Sequence, residues 1–330
     1  MTAPSTQWRE QIADDEEQRF ARYAQGLVAA QRRREAAQGP GRALHRRQLL
    51  AFAATLDVQD DLPAHARHGL FAAAGRHETL VRLSNGGMDR RSDGRPDVRG
   101  FAMRVFGVQG PNALGTGETA SQDFTLINHT KFSAAKAADF VELVLALERG
   151  PLALLGHLIR RHGVLGALRA AKAAKAVIGK PFSGFATESF HTVVPFACGP
   201  YAARARLLPP PSRSPRAGAS DDWAADLRAQ LDLGPLSYRM QLQFFVDEST
   251  TPIEDASVDW PEAIAPYVDV ATLTIAPQSF DDAEARQRES TAEAGRFDPW
   301  NALAEHRPLG DVMRARKVAY FASQQARGAA

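Results

Sequence analysis

PDVRGFAMRVF, residues 96–106, reads as an Asp-x-Arg-Gly turn feeding a strand, and QDFTLINHTKF, residues 122–132, as a following strand with a polar end at Asn128. Outward from this pair, short apolar segments at 49–58, 80–83, 98–108 and 123–128 alternate with turns rich in Gly, Pro and Asp, the punctuation of antiparallel strands. Strands return at 187–195, 202–208, 236–246 and 268–275, where RMQLQFFV (239–246) begins with a polar and apolar alternation that gives one face to a core. Helical periodicity occupies 134–177, 221–231, 282–296 and 310–326. Helices inserted between strands and appended after them make an α+β chain. A closed or strongly curved antiparallel sheet is the most economical way to hide so many strand edges. Residues 5–37, rich in Glu, Gln, Arg and Ala, read as a solvated helix, so an N-terminal helical arm over 1–38 is expected. A barrel domain follows over 39–330, with a helical insertion at about 133–180.

Composition narrows the function classes. A length of 330 residues allows a large core, and 40 Lys plus Arg against 38 Asp plus Glu leave no global charge to attract nucleic acid. The single cysteine, Cys198, excludes an intramolecular disulfide framework and a thiolate cluster, which fits a reducing, cytoplasmic setting. The acidic start lacks the pattern of a secretion signal, and no window has the apolar length to span a bilayer. From Arg149 to Thr187 no acidic residue occurs, while Arg160, Arg161, Arg169, Lys172 and Lys175 fall among Leu152, Leu155, Leu158, Ile159 and Leu165. That is a basic amphipathic element, suited either to covering the barrel or to peripheral contact with a membrane or lipid.

Four clusters carry chemistry. GRALHRR (41–47) places Arg42 three residues before His45, ahead of the first strand. LVRLSN (80–85) puts Arg82 and Ser84 on one face of a strand; inside a barrel that arginine would need an anion. The third is the pair of strands around residues 96–132, with Asn128 at its end. The fourth is RKVAYFASQQAR (316–327), where Arg316 stands one helical turn before Tyr320 and can favour its ionised oxygen, with Arg327 beyond. Alone, each also reads as ordinary structure: an edge histidine, a local ion pair in a turn, a strand-ending amide, a core tyrosine with surface arginines.

Together, and in this order, the four resemble the haem catalase superfamily. GRALHRR is similar to its R-x-x-H segment, LVRLSN to its V-R-F-S strand, PDVRGFAMRVF to its D-P-R-G-F-A-x-K-F segment, and RKVAYFASQQAR to its R-x-x-x-Y-x6-R helix. QDFTLIN, GLFA, SNGG and HRPLG look closest to the short catalase-related peroxidases, and the resemblance spans about residues 40–327. It implies a catalase-like antiparallel β-barrel with inserted and C-terminal helices, holding haem b. His45 then resembles the distal histidine and Ser84 the hydroxyl bonded to its ring. Asn128 resembles the distal asparagine and Tyr320 the ligand of the haem iron. Arg316 resembles the residue that keeps Tyr320 ionised, and Arg42, Arg82 and Arg327 the partners of the propionates.

The sequence departs from the family after His45, where Arg46, Arg47, Gln48, Leu49 and Leu50 replace small, Gly-rich residues. Ile127 stands where many large catalases have an adjacent asparagine, and Thr130 and Lys131 replace proline and an apolar residue. The resemblance implies cleavage of hydrogen peroxide or organic hydroperoxides through a ferryl haem, with an organic electron donor as second substrate and a homo-oligomeric assembly. A haem enzyme rearranging or cleaving fatty-acid hydroperoxides, like an allene oxide synthase, is the alternative. A non-catalytic haem-binding protein is another.

Overall fold

The computed structural model describes residues 3–90 and 92–329. Nine strands form one antiparallel sheet: β1 Gln48–Val58, β2 Gly75–Asn85, β3 Arg99–Pro111, β4 Glu118–Ile127, β5 Phe190–His191, β6 Phe196–Cys198, β7 Tyr201–Leu208, β8 Leu236–Phe244 and β9 Tyr267–Ile275. The spatial order is β5-β4-β3-β2-β1-β9-β8-β7-β6, and β5 also pairs with β7, which closes an eight-stranded barrel. β5 and β6 lie along different stretches of β7, the first at Leu207 and Arg206, the second at Ala203, Ala202 and Tyr201. Closure leaves the barrel proper no free edge.

Alternation along each strand sets the two faces of the wall. Leu50, Phe52 and Leu56 of β1, Val81 and Leu83 of β2, Phe101, Met103 and Val105 of β3, and Phe124 and Leu126 of β4 meet in one buried core with residues of β7, β8 and β9. The intervening residues of β1 to β4 therefore face outward. Arg82 and Ser84 lie on the outside of the barrel, not within its lumen.

Six helices pack around this wall: α1 Glu16–Gln38, α2 Ala137–Glu148, α3 Pro151–Ile178, α4 Trp223–Asp232, α5 Ala283–Ala294 and α6 Asp311–Ala326. The helix anticipated from residue 5 begins at Glu16, and it is not solvated all round. It buries Phe20, Ala24, Leu27 and Ala30 and packs on α6 and α2. The strand expected over 187–195 shrinks to Phe190–His191, because Val193 takes a positive φ of 54° that breaks the ladder. Gly163, at φ 66° and ψ 174°, interrupts α3 at the break anticipated from sequence. Among the described residues no helix is long and apolar enough to cross a membrane.

α6 is held at several points. Arg314 reaches the carboxylates of Glu10, Glu16 and Glu254 at 2.7–2.9 Å, and Asp311 Oδ1 accepts the Ala137 N–H at 2.7 Å. Near the other end Gln324 donates to Asp298 and Ser323 to Gln31 of α1. These bonds, all but Ser323–Gln31 made by a charged group, fix the helix against the N-terminal segment, α1, α2 and the neighbouring loops.

Candidate functional site

The outer wall of β1 to β4 presents two neighbouring rows of paired residues. Ala51, Arg82, Ala102 and Thr125 form one; Gln48, Ser84, Gly100 and Ile127 form the next. Small residues keep the middle of this surface low.

His45 sits over the second row. Its Nδ1 lies 3.0 Å from Ser84 Oγ, and its ring rests on Gly100. A Cβ added at Gly100 would come within 2.5 Å of His45 Nδ1 and 2.7 Å of Ser84 Oγ, so the site requires glycine there. His45 adopts φ 50°, a left-handed conformation rare outside glycine, stabilised by the bond from its N–H to Gly86 O at 3.0 Å. His45 is half-buried as a residue, with its imidazole recessed among protein atoms. That desolvation, then the positive charges of Arg82, Arg316 and Arg42, depress its pKa to about 3, so it is neutral at physiological pH.

The first row carries the arginines. Arg82, with a side chain only 3% exposed, donates Nε to Gln48 Oε1 and Nη2 to both His45 O and Glu293 Oε2. Arg42 donates to Glu293 Oε2 at 3.1 Å and to the carbonyls of Ala292, Glu293 and Gly295 at the end of α5. Arg327 reaches the same turn through Glu293 O, Ala294 O and Gly295 O. Arg42, Arg82 and, at 3.6 Å, Arg90 thus share the Glu293 carboxylate, while Arg327 meets only the carbonyls beside it. Burial, then mutual repulsion with Arg42, lowers Arg82 to about 9 and Arg327 to about 10; burial also lowers Arg42 against the pull of Glu293. All three stay charged at neutral pH, which leaves surplus positive charge in a low-dielectric setting.

α6 supplies the other part. Arg316 Nη2 donates to Tyr320 Oη at 2.6 Å and to Thr125 Oγ1 at 2.9 Å, with its guanidinium 4.8 Å from the centroid of the Tyr320 ring. Thr125 ends the first row, so the tyrosine helix is docked on the wall that carries Arg82. Arg316 acts electrostatically on His45, and Tyr320 on Arg42.

Asn128 lies at the end of β4. Its Oδ1 accepts the Arg99 N–H at 2.8 Å, one residue before the Gly100 that carries His45, and its backbone O accepts from Lys180. The residue is buried, and its Nδ2 has no partner among the described residues. Seven of the eight residues singled out from sequence therefore gather on the outer wall and the helix docked there, while Asn128 stands at the strand end on the register of the inward-facing Phe124 and Leu126.

The bulky residues after His45 do not fill this space. Arg46 is buried against its own loop, bonding Arg42 O and Gly39 O, and Arg47 pairs with Asp93 at 3.2 Å. Gln48 supports Arg82, and Leu50 enters the barrel core across a register shift at the start of β1. Sequence reading missed Gly100, Thr125, Gln48 and Glu293 as parts of the site. Gly100 had a signal, a glycine inside a strand where a side chain must approach; Glu293 had none beyond its place in the last turn of a helix.

A carboxylate-bearing, metal-centred group such as haem fits these residues on three counts. The arginine cluster has charge to spare for further carboxylates, Gly100 and Ala102 leave the wall low, and Asn128 keeps an unused buried donor. Among the described residues no group of three or more His, Cys, Asp or Glu could hold a metal ion.

No family model matches the chain, and no curated protein matches it. Solved structures do. A fungal catalase is 16% identical with a TM-score of 0.67 over 99% of this chain and 65% of its own. A bacterial catalase is 16% identical at 0.64, over 100% of this chain and 64% of its own. Catalase A from Saccharomyces cerevisiae is 15% identical at 0.67, over 100% and 68%. The chain spans about two-thirds of the length of these catalases. At such identity the likeness speaks to architecture: the chain has the catalase-like α+β fold, an antiparallel barrel with helices packed on its outer wall.

Proposed function

We propose that this chain is a haem-dependent enzyme acting on peroxides, of the short catalase-related peroxidase type. The observation that carries the reading is the convergence, on one wall of a catalase-like barrel, of the His45–Ser84 pair, the Arg316–Tyr320 pair and three arginines, Arg42, Arg82 and Arg327, on the last turn of α5. Bound haem b would supply an iron centre that accepts a peroxide oxygen and stores oxidising equivalents.

The chain's own residues do the rest. Tyr320 Oη, already receiving a bond from Arg316, is the protein ligand to the iron. Arg42, Arg82 and Arg327 hold the propionates, and Glu293 with the carbonyls of the α5 terminus keeps their forks aligned. With Nδ1–H donated to Ser84 Oγ, the neutral imidazole of His45 presents a bare Nε2. That nitrogen takes the proton from the inner peroxide oxygen and returns it to the departing one, base and then acid. Asn128 Nδ2 donates to the peroxide and orients it.

The reductant is an organic donor ahead of a second hydrogen peroxide. Thr130 and Lys131, just beyond Asn128, are exposed and polar, so the approach beside the amide is open to water-soluble molecules. A second reading, rearrangement or cleavage of a fatty-acid hydroperoxide, is favoured by the exposed leucines and cations of α3. Absorption spectra of haem-loaded protein before and after peroxide, with oxygen release and product analysis, decide between them. Donor oxidation with little oxygen supports the peroxidase; rapid oxygen release makes it a catalase; a rearranged lipid makes it the lipid enzyme. No spectral response to any peroxide would overturn all three and leave a haem-binding protein.

A further inference from the structure

α3 is the least covered element of the molecule. It packs chiefly on α2, burying His157, Leu158 and Ala167, and Arg161 ties it there through Asp139 and Glu142. Half of all large apolar side chains exposed on the described surface belong to this one helix. Leu152 is 85% exposed and Leu165 73%, well beyond the scattered exposure that a solvated surface ordinarily shows.

The arrangement is regular on both sides of the break at Gly163. Leu152, Leu155 and Ile159 fall at i, i+3 and i+7, one stripe of the first half; Leu165, Leu168, Lys172 and Lys175 fall at i, i+3, i+7 and i+10, one stripe of the second. Arg160, Arg169, Lys172 and Lys175 are exposed and form no ion pair among the described residues. No acid lies between Arg149 and Thr187 to neutralise them. Apolar side chains interleaved with unpaired cations match a surface that offers hydrocarbon beneath a layer of negative charge. The helix is too broken and too basic to cross a bilayer, which leaves it to lie in the interface. Two copies of the face set against each other would oppose the same cations, so self-association through it is disfavoured.

We propose that the exposed face of α3 docks this protein on an anionic phospholipid surface, with Leu165 and Leu168 inserted and Lys172 and Lys175 at the headgroups. The inference stands apart from the haem reading, since it requires no cofactor. α2, which carries α3, also packs on α1 and α6, so the docked face belongs to the helical layer that holds Tyr320.

Flotation of the full chain with vesicles of phosphatidylcholine, with and without phosphatidylglycerol, tests it. Wild type should float with the phosphatidylglycerol vesicles at low salt, and about tenfold less with phosphatidylcholine alone or at high salt. Leu165→Glu with Leu168→Glu, and separately Lys172→Glu with Lys175→Glu, should each abolish flotation while circular dichroism and melting stay unchanged. Failure of wild type to float with anionic vesicles overturns the proposal, as does flotation that both double variants retain. Absent flotation together with a leucine variant that shifts light scattering to a smaller species would instead make this face a contact between copies.

Discussion

The two faces of the β1 to β4 wall share backbone and differ in everything else. Inward, Val81, Leu83, Phe101, Met103, Phe124 and Leu126 are packed to near-zero exposure in the barrel core. Outward, one residue along each strand, stand Arg82, Ser84, Gly100, Ala102 and Thr125, of which Arg82 and Ser84 are as deeply buried but are polar. The same rigid strands thus build the core on one side and a polar, arginine-bearing surface on the other. A site built on strands and helices is held to tighter geometry than one built on loops; here Arg82 and Ser84 come from β2 and Arg316 and Tyr320 from α6, while Arg42, His45 and Asn128 lie just outside strands.

Substitutions on the two sides should separate cleanly. The largest effect is expected from His45→Ala, which leaves the barrel core untouched and should slow peroxide cleavage by about 10²- to 10⁴-fold, read by stopped-flow absorption of haem-loaded protein. An unchanged rate would remove His45 from the chemistry. On the inner face Phe101→Ala should cost about 3–5 kcal/mol in denaturant unfolding, with the His45–Ser84 pair preserved. Its neighbour Gly100→Ala, outward, should cost only about 1–3 kcal/mol but displace the His45 ring, visible as a changed imidazole resonance. Equal effects of the two on both readouts would erase the distinction between the faces.

The smallest effect of a substitution is the one-proton change that His45→Ala makes to the pH dependence of stability. His45 and His191 are held to about 3 and His306 to about 4, in each case foremost by burial. Below the unfolded histidine value of about 6.5 the unfolded chain takes up protons that the native chain refuses. Stability therefore falls as pH drops from about 6.5 towards 4, by about 1.4 kcal/mol per pH unit for each such histidine. Denaturation midpoints between pH 7 and 5 should show this slope, and His45→Ala should reduce it by one proton. A slope that the substitution leaves unaltered would mean His45 titrates normally in the fold.

The strands, the α3 break and the terminal helix were legible because each rests on local signals: period-two alternation, turn residues, a mid-helix glycine. Arg82 with Ser84 and Arg316 with Tyr320 were legible as pairs because their spacing is fixed within one strand and one helix; Arg42, His45 and Arg327, on a loop and a helix end, were legible only from the order of motifs that carries the family resemblance. The face of the wall was not, since alternation alone does not say which side of a closed sheet is inside; only the closure through β5 and β7 does. Glu293 was invisible for a related reason. It meets Arg42 and Arg82 across more than two hundred residues of chain, through the packing of α5 on β1 and β2. The bulk of Arg46 to Leu50 suggested an altered distal loop; backbone geometry sends Arg46, Arg47 and Leu50 elsewhere, while Gln48 stays in the site on Arg82.

The central claim is that the outer wall and α6 together hold a haem through Tyr320. Titration of the purified chain with haem, followed in the Soret region for wild type and Tyr320→Phe, tests it most directly. Saturable one-to-one uptake by wild type, with a ferric tyrosinate spectrum that Tyr320→Phe weakens or abolishes at unchanged melting temperature, is the expected result. No saturable uptake by wild type, or a spectrum identical in the variant, would contradict it.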